Sequence, residues 1–124
     1  MRKTLLSVGT NHSLLGIRNT VLVSAGYSVI PAKSCVQAER LIASRQLDAV
    51  IVGHSLSRSL AERVAAAAKL RQLPVIVLHA NPYEAPVVQA DANLCGIDGA
   101  AQITQVLNGL LDGTPKHAVA IIAG

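Results

Sequence analysis

The sequence predicts a single doubly wound α/β domain built on a five-stranded parallel sheet, and three observations predict it. Short apolar runs alternate with stretches of helical periodicity along the chain, the order that yields a parallel sheet with helices on both faces. The runs at 49–52 and 75–78 are apolar at every position, as strands buried on both faces must be. Hydrophobic residues make up 51% of the 124 positions, yet Phe and Trp are absent and there are only two Tyr. The core is therefore made of Ala, Val, Ile and Leu, which suits a buried sheet under closely packed helices.

The elements follow in order. Thr4 to Val8 is an apolar run stopped by Gly9-Thr10-Asn11. Leu14, Leu15, Ile17, Val21 and Leu22 recur at helical spacing, and this first helix stops near Ala25-Gly26, where glycine accepts a left-handed conformation. Tyr27 to Ile30 reads as a second strand closed by Pro31. Ser34-Cys35-Val36-Gln37 has the spacing of a capping box, in which both side chains satisfy free amides at a helix start; the second helix runs through Ala43. Ala49 to Val52 is the third and central strand. Ser59-Leu60-Ala61-Glu62 repeats the box spacing and opens a third helix, whose last turn carries Lys69 and Arg71 to complement its dipole. Pro74 introduces the fourth strand, Val75 to Leu78. From Asn81 to Val88, Pro82 and Pro86 leave a loop with at most a short helix. Ala92 to Cys95 is the fifth strand and Ala101 to Leu111 the final helix.

Length and charge set the bounds. A chain of 124 residues holds one core and not two. The net charge of +4 permits attraction to acidic partners without specifying one. Cys35 and Cys95 lie far apart, outside any ligand-like spacing; no export signal follows Met1-Arg2-Lys3, and no apolar run is long enough to span a bilayer. A cytoplasmic protein with free thiols is the expectation. The domain is expected to span 1–113, leaving 114–124 as a tail whose apolar Val119 to Ile122 suits an added edge strand or a partner contact.

In such a sheet the functional crevice lies beyond the carboxyl ends of the strands. That rule gathers Gly9-Thr10-Asn11-His12, Gly53-His54, His79-Ala80 and Gly96-Ile97-Asp98. With the Ala25-Gly26-Tyr27 turn, Asp48-Ala49-Val50-Ile51-Val52, Pro74-Val75-Ile76-Val77-Leu78 and Ala90-Asp91-Ala92 in sequence, the chain over roughly 3–111 resembles the receiver domains of bacterial response regulators, the CheY-like proteins. The resemblance implies strand order 2-1-3-4-5, with the fourth helix shortened here, and a place in two-component or phosphorelay signal transduction.

Receivers phosphorylate themselves on an aspartate after the third strand. An acidic pair after the first strand holds magnesium, while a hydroxyl after the fourth and a lysine after the fifth bind the phosphoryl oxygens. The matching positions here are Gly9 and Thr10 for the pair, Gly53 for the nucleophile, His79 for the hydroxyl and Gly96 for the lysine. Ile97 stands where the family has proline, and Asn93 at the aromatic switch position. Metal site, nucleophile and phosphate clamp are all missing. Resemblance and departures together imply an atypical, phosphorylation-independent receiver with no catalytic residue and no cofactor, not an enzyme. Its expected partners are a histidine kinase, another regulator or a second copy of itself.

The alternative is a small-ligand or metal sensor in the same crevice. His12, His54 and His79 follow adjacent strands, with Cys95 or Asp98 nearby, and imidazoles converging there would suit zinc. No short-range ligand motif accompanies them. Gly9 to Ser13 offers amides and a helix dipole to an anion, but lacks both nucleotide-binding glycine motifs; capping of the helix by Asn11 or Ser13 explains it as well. Arg40, Arg45, Arg58, Arg63, Lys69 and Arg71 lie around the second and third helices without the aromatic platform of a nucleic-acid reader, and read as a solvated face.

Overall fold

The computed structural model describes residues 3–80, 83–95 and 100–111. Among these residues five strands and four helices follow one another: β1 (Thr4–Val8), α1 (His12–Ser24), β2 (Ser28–Ala32), α2 (Cys35–Ser44), β3 (Ala49–Val52), α3 (Arg58–Leu70), β4 (Val75–His79), β5 (Ala92–Cys95) and α4 (Ala100–Leu111). The strands form one sheet, parallel throughout, in the order β2-β1-β3-β4-β5. This is the expected fold class and order. No helix among the described residues is long and apolar enough to cross a membrane.

Alternation along the strands divides the core into two layers, because successive side chains point to opposite faces. Leu5, Ala49, Ile51, Ile76 and Leu94 pack with Leu22 of α1 and Ile103 and Leu107 of α4. Leu6, Val8, Val50, Val52, Val75 and Val77 pack instead with Ala38 and Ile42 of α2 and Val64, Ala65 and Ala68 of α3. β3 is buried at every position, so it tolerates no polar side chain.

Several elements depart from the sequence expectations. β2 does not stop at Pro31 but runs through it to Ala32. It is an edge strand, and an exposed proline there removes no hydrogen bond that a second neighbour would need. At α2 Ser34 caps the helix as expected, its Oγ accepting from Gln37 N at 3.1 Å, but Gln37 Oε1 reaches past the cap and accepts from Lys33 N at 2.8 Å rather than from the amide of Ser34. At α3 the cap is Ser57 rather than Ser59, accepting from Leu60 N at 3.5 Å. Starting the helix at Arg58 buries both Leu56 before the cap and Ala61 after it in one cluster, a hydrophobic staple that a start at Ser59 would lose. Ile17 and Val21 of α1 face outward, at 65% and 38% exposure, because the buried face runs through Leu15 and Leu22. Lys69 and Arg71 serve other elements as well: Lys69 Nζ pairs with Asp91 at 2.7 Å, and Arg71 Nη1 donates to Ile42 O and Ala43 O at the end of α2.

At the amino edge of the sheet two aspartates repeat one arrangement. Asp48 N donates to Thr4 O at 2.7 Å while its Oδ2 accepts from Thr4 N at 2.7 Å. Asp91 N donates to Val75 O at 2.8 Å while its Oδ2 accepts from Val75 N at 2.7 Å. Each aspartate precedes its strand and closes a ring onto the first residue of the neighbouring strand.

The crossover from β4 to β5 has turns and no helix among its described residues, 83–91. Side chains secure it in place of helical packing. Arg58 donates to Ala85 O at 2.6 Å and Pro86 O at 2.9 Å, and Val87, 3% exposed, enters the core beside α3.

Candidate functional site

Gly9 directly follows β1, Gly53 directly follows β3, and His79 ends β4, so the structure brings these three predicted positions to the carboxyl edge. Continuing the strand alternation, the missing side chains of Gly9 and Gly53 face the α1 layer. A side chain that sequence reasoning overlooked fills that space. Arg18, on the inner face of α1 between Leu15 and Leu22, donates from Nε to Ser7 Oγ at 3.0 Å and from Nη2 to Val8 O at 2.9 Å. A Cβ added at Gly53 would stand 2.7 Å from Nη1 and 3.0 Å from Val8 O, and one at Gly9 would stand 3.4 Å from Nη2. Glycine at 53 is what admits the guanidinium.

Two loops close over this edge. Ser55 Oγ accepts from Thr10 N at 2.9 Å and Asn11 N at 3.4 Å, and Thr10 Oγ1 donates to Ser55 O at 3.2 Å. The segment after β1 is thus held to the segment after β3 by a hydroxyl.

Burial pushes the Arg18 guanidinium down to about 10 from its usual 12.5. The group stays charged at neutral pH, at a cost on the order of 3 kcal/mol that is present at every pH below about 10. No carboxylate among the described residues pairs with it. A buried charge without a counter-charge is an expense that packing alone does not repay.

His79, 8% exposed, lies between two acceptors. The Asn93 amide is oriented by Val87, whose N donates to Oδ1 at 2.8 Å and whose O accepts from Nδ2 at 3.2 Å. Oδ1 therefore faces His79 Nε2 at 2.7 Å, and that nitrogen carries a proton. His79 Nδ1 lies 3.2 Å from Glu84 Oε2, a hydrogen bond when this nitrogen too is protonated and the ring is an imidazolium. Nε2 is thus held by Asn93, and Nδ1 faces Glu84 rather than Cys95, its register neighbour on β5. Asn93, the expected switch position, anchors the crossover.

His54 and His79 line a shared cleft with Gly53, Arg58, Glu84 and Val87. Its volume of about 50 Å³ admits a few waters, well short of a typical small-molecule site. No three His, Cys, Asp or Glu side chains among the described residues are grouped to hold a metal. The side chain of His12, residues Gly96, Ile97 and Asp98, and the 114–124 tail lie outside the described residues. Cys35 is buried against α3, and burial, then the neighbouring Glu39, pushes its thiol up, which keeps it protonated and unreactive. The basic side chains are largely engaged within the fold: Arg63 pairs with Glu39 at 2.7 Å and Arg58 with Glu62 at 3.4 Å, beside the Lys69 and Arg71 contacts.

No family model matches the sequence, and no curated protein does either. Solved structures do. The receiver domain of a sensor histidine kinase from Pseudomonas aeruginosa, with magnesium coordinated in the active-site cleft, matches with a TM-score of 0.77 at 21% identity over 91% of this chain and 100% of that one. The response regulator TrrA from Thermotoga maritima in complex with Mg(2+)-BeF matches at 0.77 and 20% identity over 88% and 99%. A CheY-like response regulator receiver domain protein from Methanospirillum hungatei matches at 0.78 and 19% identity over 94% and 99%. At these identities the likeness establishes the fold.

Proposed function

We propose that this chain is an atypical receiver module of signal transduction that acts through contact with protein partners and without aspartyl phosphorylation. The observation that carries this reading is the Arg18 guanidinium lodged against Gly53 and beside Gly9. Receiver phosphorylation needs carboxylates to hold magnesium and to attack phosphorus; the two cited bacterial neighbours were solved with magnesium or with Mg(2+)-BeF. Here the corresponding edge offers glycine, threonine and a cation that repels a divalent metal. The aspartates within the described residues, Asp48 and Asp91, have their Oδ2 atoms bonded to backbone amides at the opposite edge. His79 and Asn93, at the phosphate-clamp and switch positions, are engaged with Glu84 and Val87. The small cleft, with His79 facing Asn93 and Glu84, weighs against a ligand or metal held by the histidines. The module would comprise 1–113 and act in the cytoplasm, with 114–124 available to a histidine kinase, another regulator or a second copy.

The test is incubation with acetyl phosphate and magnesium followed by intact-mass measurement. An unchanged mass is expected. A stable phosphoryl adduct mapped to an aspartate would overturn the proposal.

A further inference from the structure

The carboxyl edge holds a cation with donors to spare. A guanidinium offers five N–H groups, and Arg18 uses Nε on Ser7 and Nη2 on Val8. Among the described residues Nη1 finds no hydrogen-bond partner, yet it is not sealed in, since the one fully buried side-chain nitrogen or oxygen lacking a partner there is Asn19 Oδ1. A second donor stands close by. Ser55 Oγ accepts from Thr10 N and Asn11 N, which leaves the hydroxyl's own proton to give. The point where a Cβ of Gly9 would sit is 3.4 Å from Arg18 Nη2, which has a second N–H beyond the one given to Val8 O, 3.6 Å from Ser55 Oγ and 3.6 Å from Leu15 Cδ1, so cation and hydroxyl stand on either side of one point with an apolar wall beside them. Thr10 and Ser55 on its rim are exposed. Glu84, a carboxylate at this edge, is turned onto His79.

Burial without a counter-charge supplies the driving force. An anion reaching Arg18 would recover interaction that the folded chain forgoes, and in a partly desolvated setting a charge-assisted hydrogen bond exceeds a neutral one. The net charge of +4 favours approach of anions over cations.

We propose that Arg18, with the Ser55 hydroxyl beside it, forms an oxyanion receptor that takes a carboxylate or phosphate group, so that the edge selects anions rather than divalent cations. The proposal rests on the reading that this edge does not carry phosphotransfer. The group arrives either as a free ion or on the acidic surface of a protein partner, and the same two side chains receive it.

The purified 124-residue chain is titrated with inorganic phosphate and, separately, with a tetraglutamate peptide, each against sodium chloride at matched ionic strength. Amide resonances of Thr10 and Ser55, the Arg18 Nε resonance and the melting temperature are followed. Saturable shifts and a raised Tm are expected in at least one arm. A phosphate response alone identifies a free ion, and a peptide response alone an acidic partner surface. Arg18→Gln should weaken the response at least about tenfold, Ser55→Ala should weaken it several-fold while keeping the cation, and Arg63→Gln should leave it unchanged. Silence in both arms beyond the chloride control, or an Arg18→Gln variant that responds like wild type, would overturn the receptor. Either result leaves the acetyl phosphate experiment untouched, and an aspartyl adduct there would sink the functional reading without touching this titration.

Discussion

At the amino edge of the sheet, ionised side chains serve as building material: Asp48 and Asp91 each turn a carboxylate onto the first amide of a neighbouring strand, and Asp91 is balanced by Lys69. At the carboxyl edge Glu84 turns onto His79, while Arg18 finds a carbonyl and a hydroxyl but no carboxylate among the described residues. The same sheet thus spends charge on stability at one end and leaves charge uncompensated at the other. The asymmetry separates charge that holds the fold from charge that the fold leaves without a counter-charge.

The largest expected effect tests that separation directly. Asp91→Ala removes the acceptor of Val75 N and the partner of Lys69, and should lower stability by about 2–3 kcal/mol in urea denaturation. Arg18→Met, which replaces an uncompensated buried charge by an apolar chain of similar length, should be neutral or stabilising by up to about 1 kcal/mol. Equal losses in the two variants would erase the contrast between the edges.

A smaller effect is expected at Gly53. Gly53→Ala places a methyl 2.7 Å from Arg18 Nη1 and 3.0 Å from Val8 O, and should cost roughly 1–2 kcal/mol. Combined with Arg18→Ala the cost should shrink by about 1 kcal/mol, measured as the coupling in a double-mutant cycle. Additive losses would mean that the guanidinium does not occupy the space at position 53.

The smallest effect is expected at the β4–β5 crossover. Glu84→Ala removes the carboxylate that faces His79 Nδ1 at 3.2 Å, and should quicken amide exchange in 83–90 while leaving Thr4 and Val75 unchanged. Exchange in 83–90 that matches wild type would exclude this contact as a tie.

Much of the fold was legible from apolar runs and the residues that stop them: β1, β3 and β5 end where the sequence places them, most plainly β3, which is buried at every position and carries no polar residue. Pro31 misled because a proline ends an inner strand but not an edge strand, and only the strand order distinguishes them. Ser57 and Ser59 both stand near the start of α3, and the choice between them falls to the burial of Leu56 and Ala61, a tertiary effect. The strand-end rule places Gly9, Gly53 and His79 at the carboxyl edge, where they lie. Arg18 escaped notice because its acceptors, Ser7 and Val8, lie on a different element. Its signal was nonetheless present: a cation in helical register with Leu15 and Leu22, on a face that is otherwise buried. The Asn93 clamp on Val87 leaves no local pattern to read.

The paired aspartate rings also answer a question of alignment. β3 and β4 are apolar along nearly their full length, so sliding either by two residues against its neighbour would keep every side chain on the same face and bury similar surface. Hydrophobicity alone leaves that slip nearly free. A carboxylate matched to the amide of Thr4, and another matched to that of Val75, break the degeneracy, because a slid strand would strand each charge against a residue that cannot receive it. Asp48 and Asp91 act as the zero marks from which the sheet is measured.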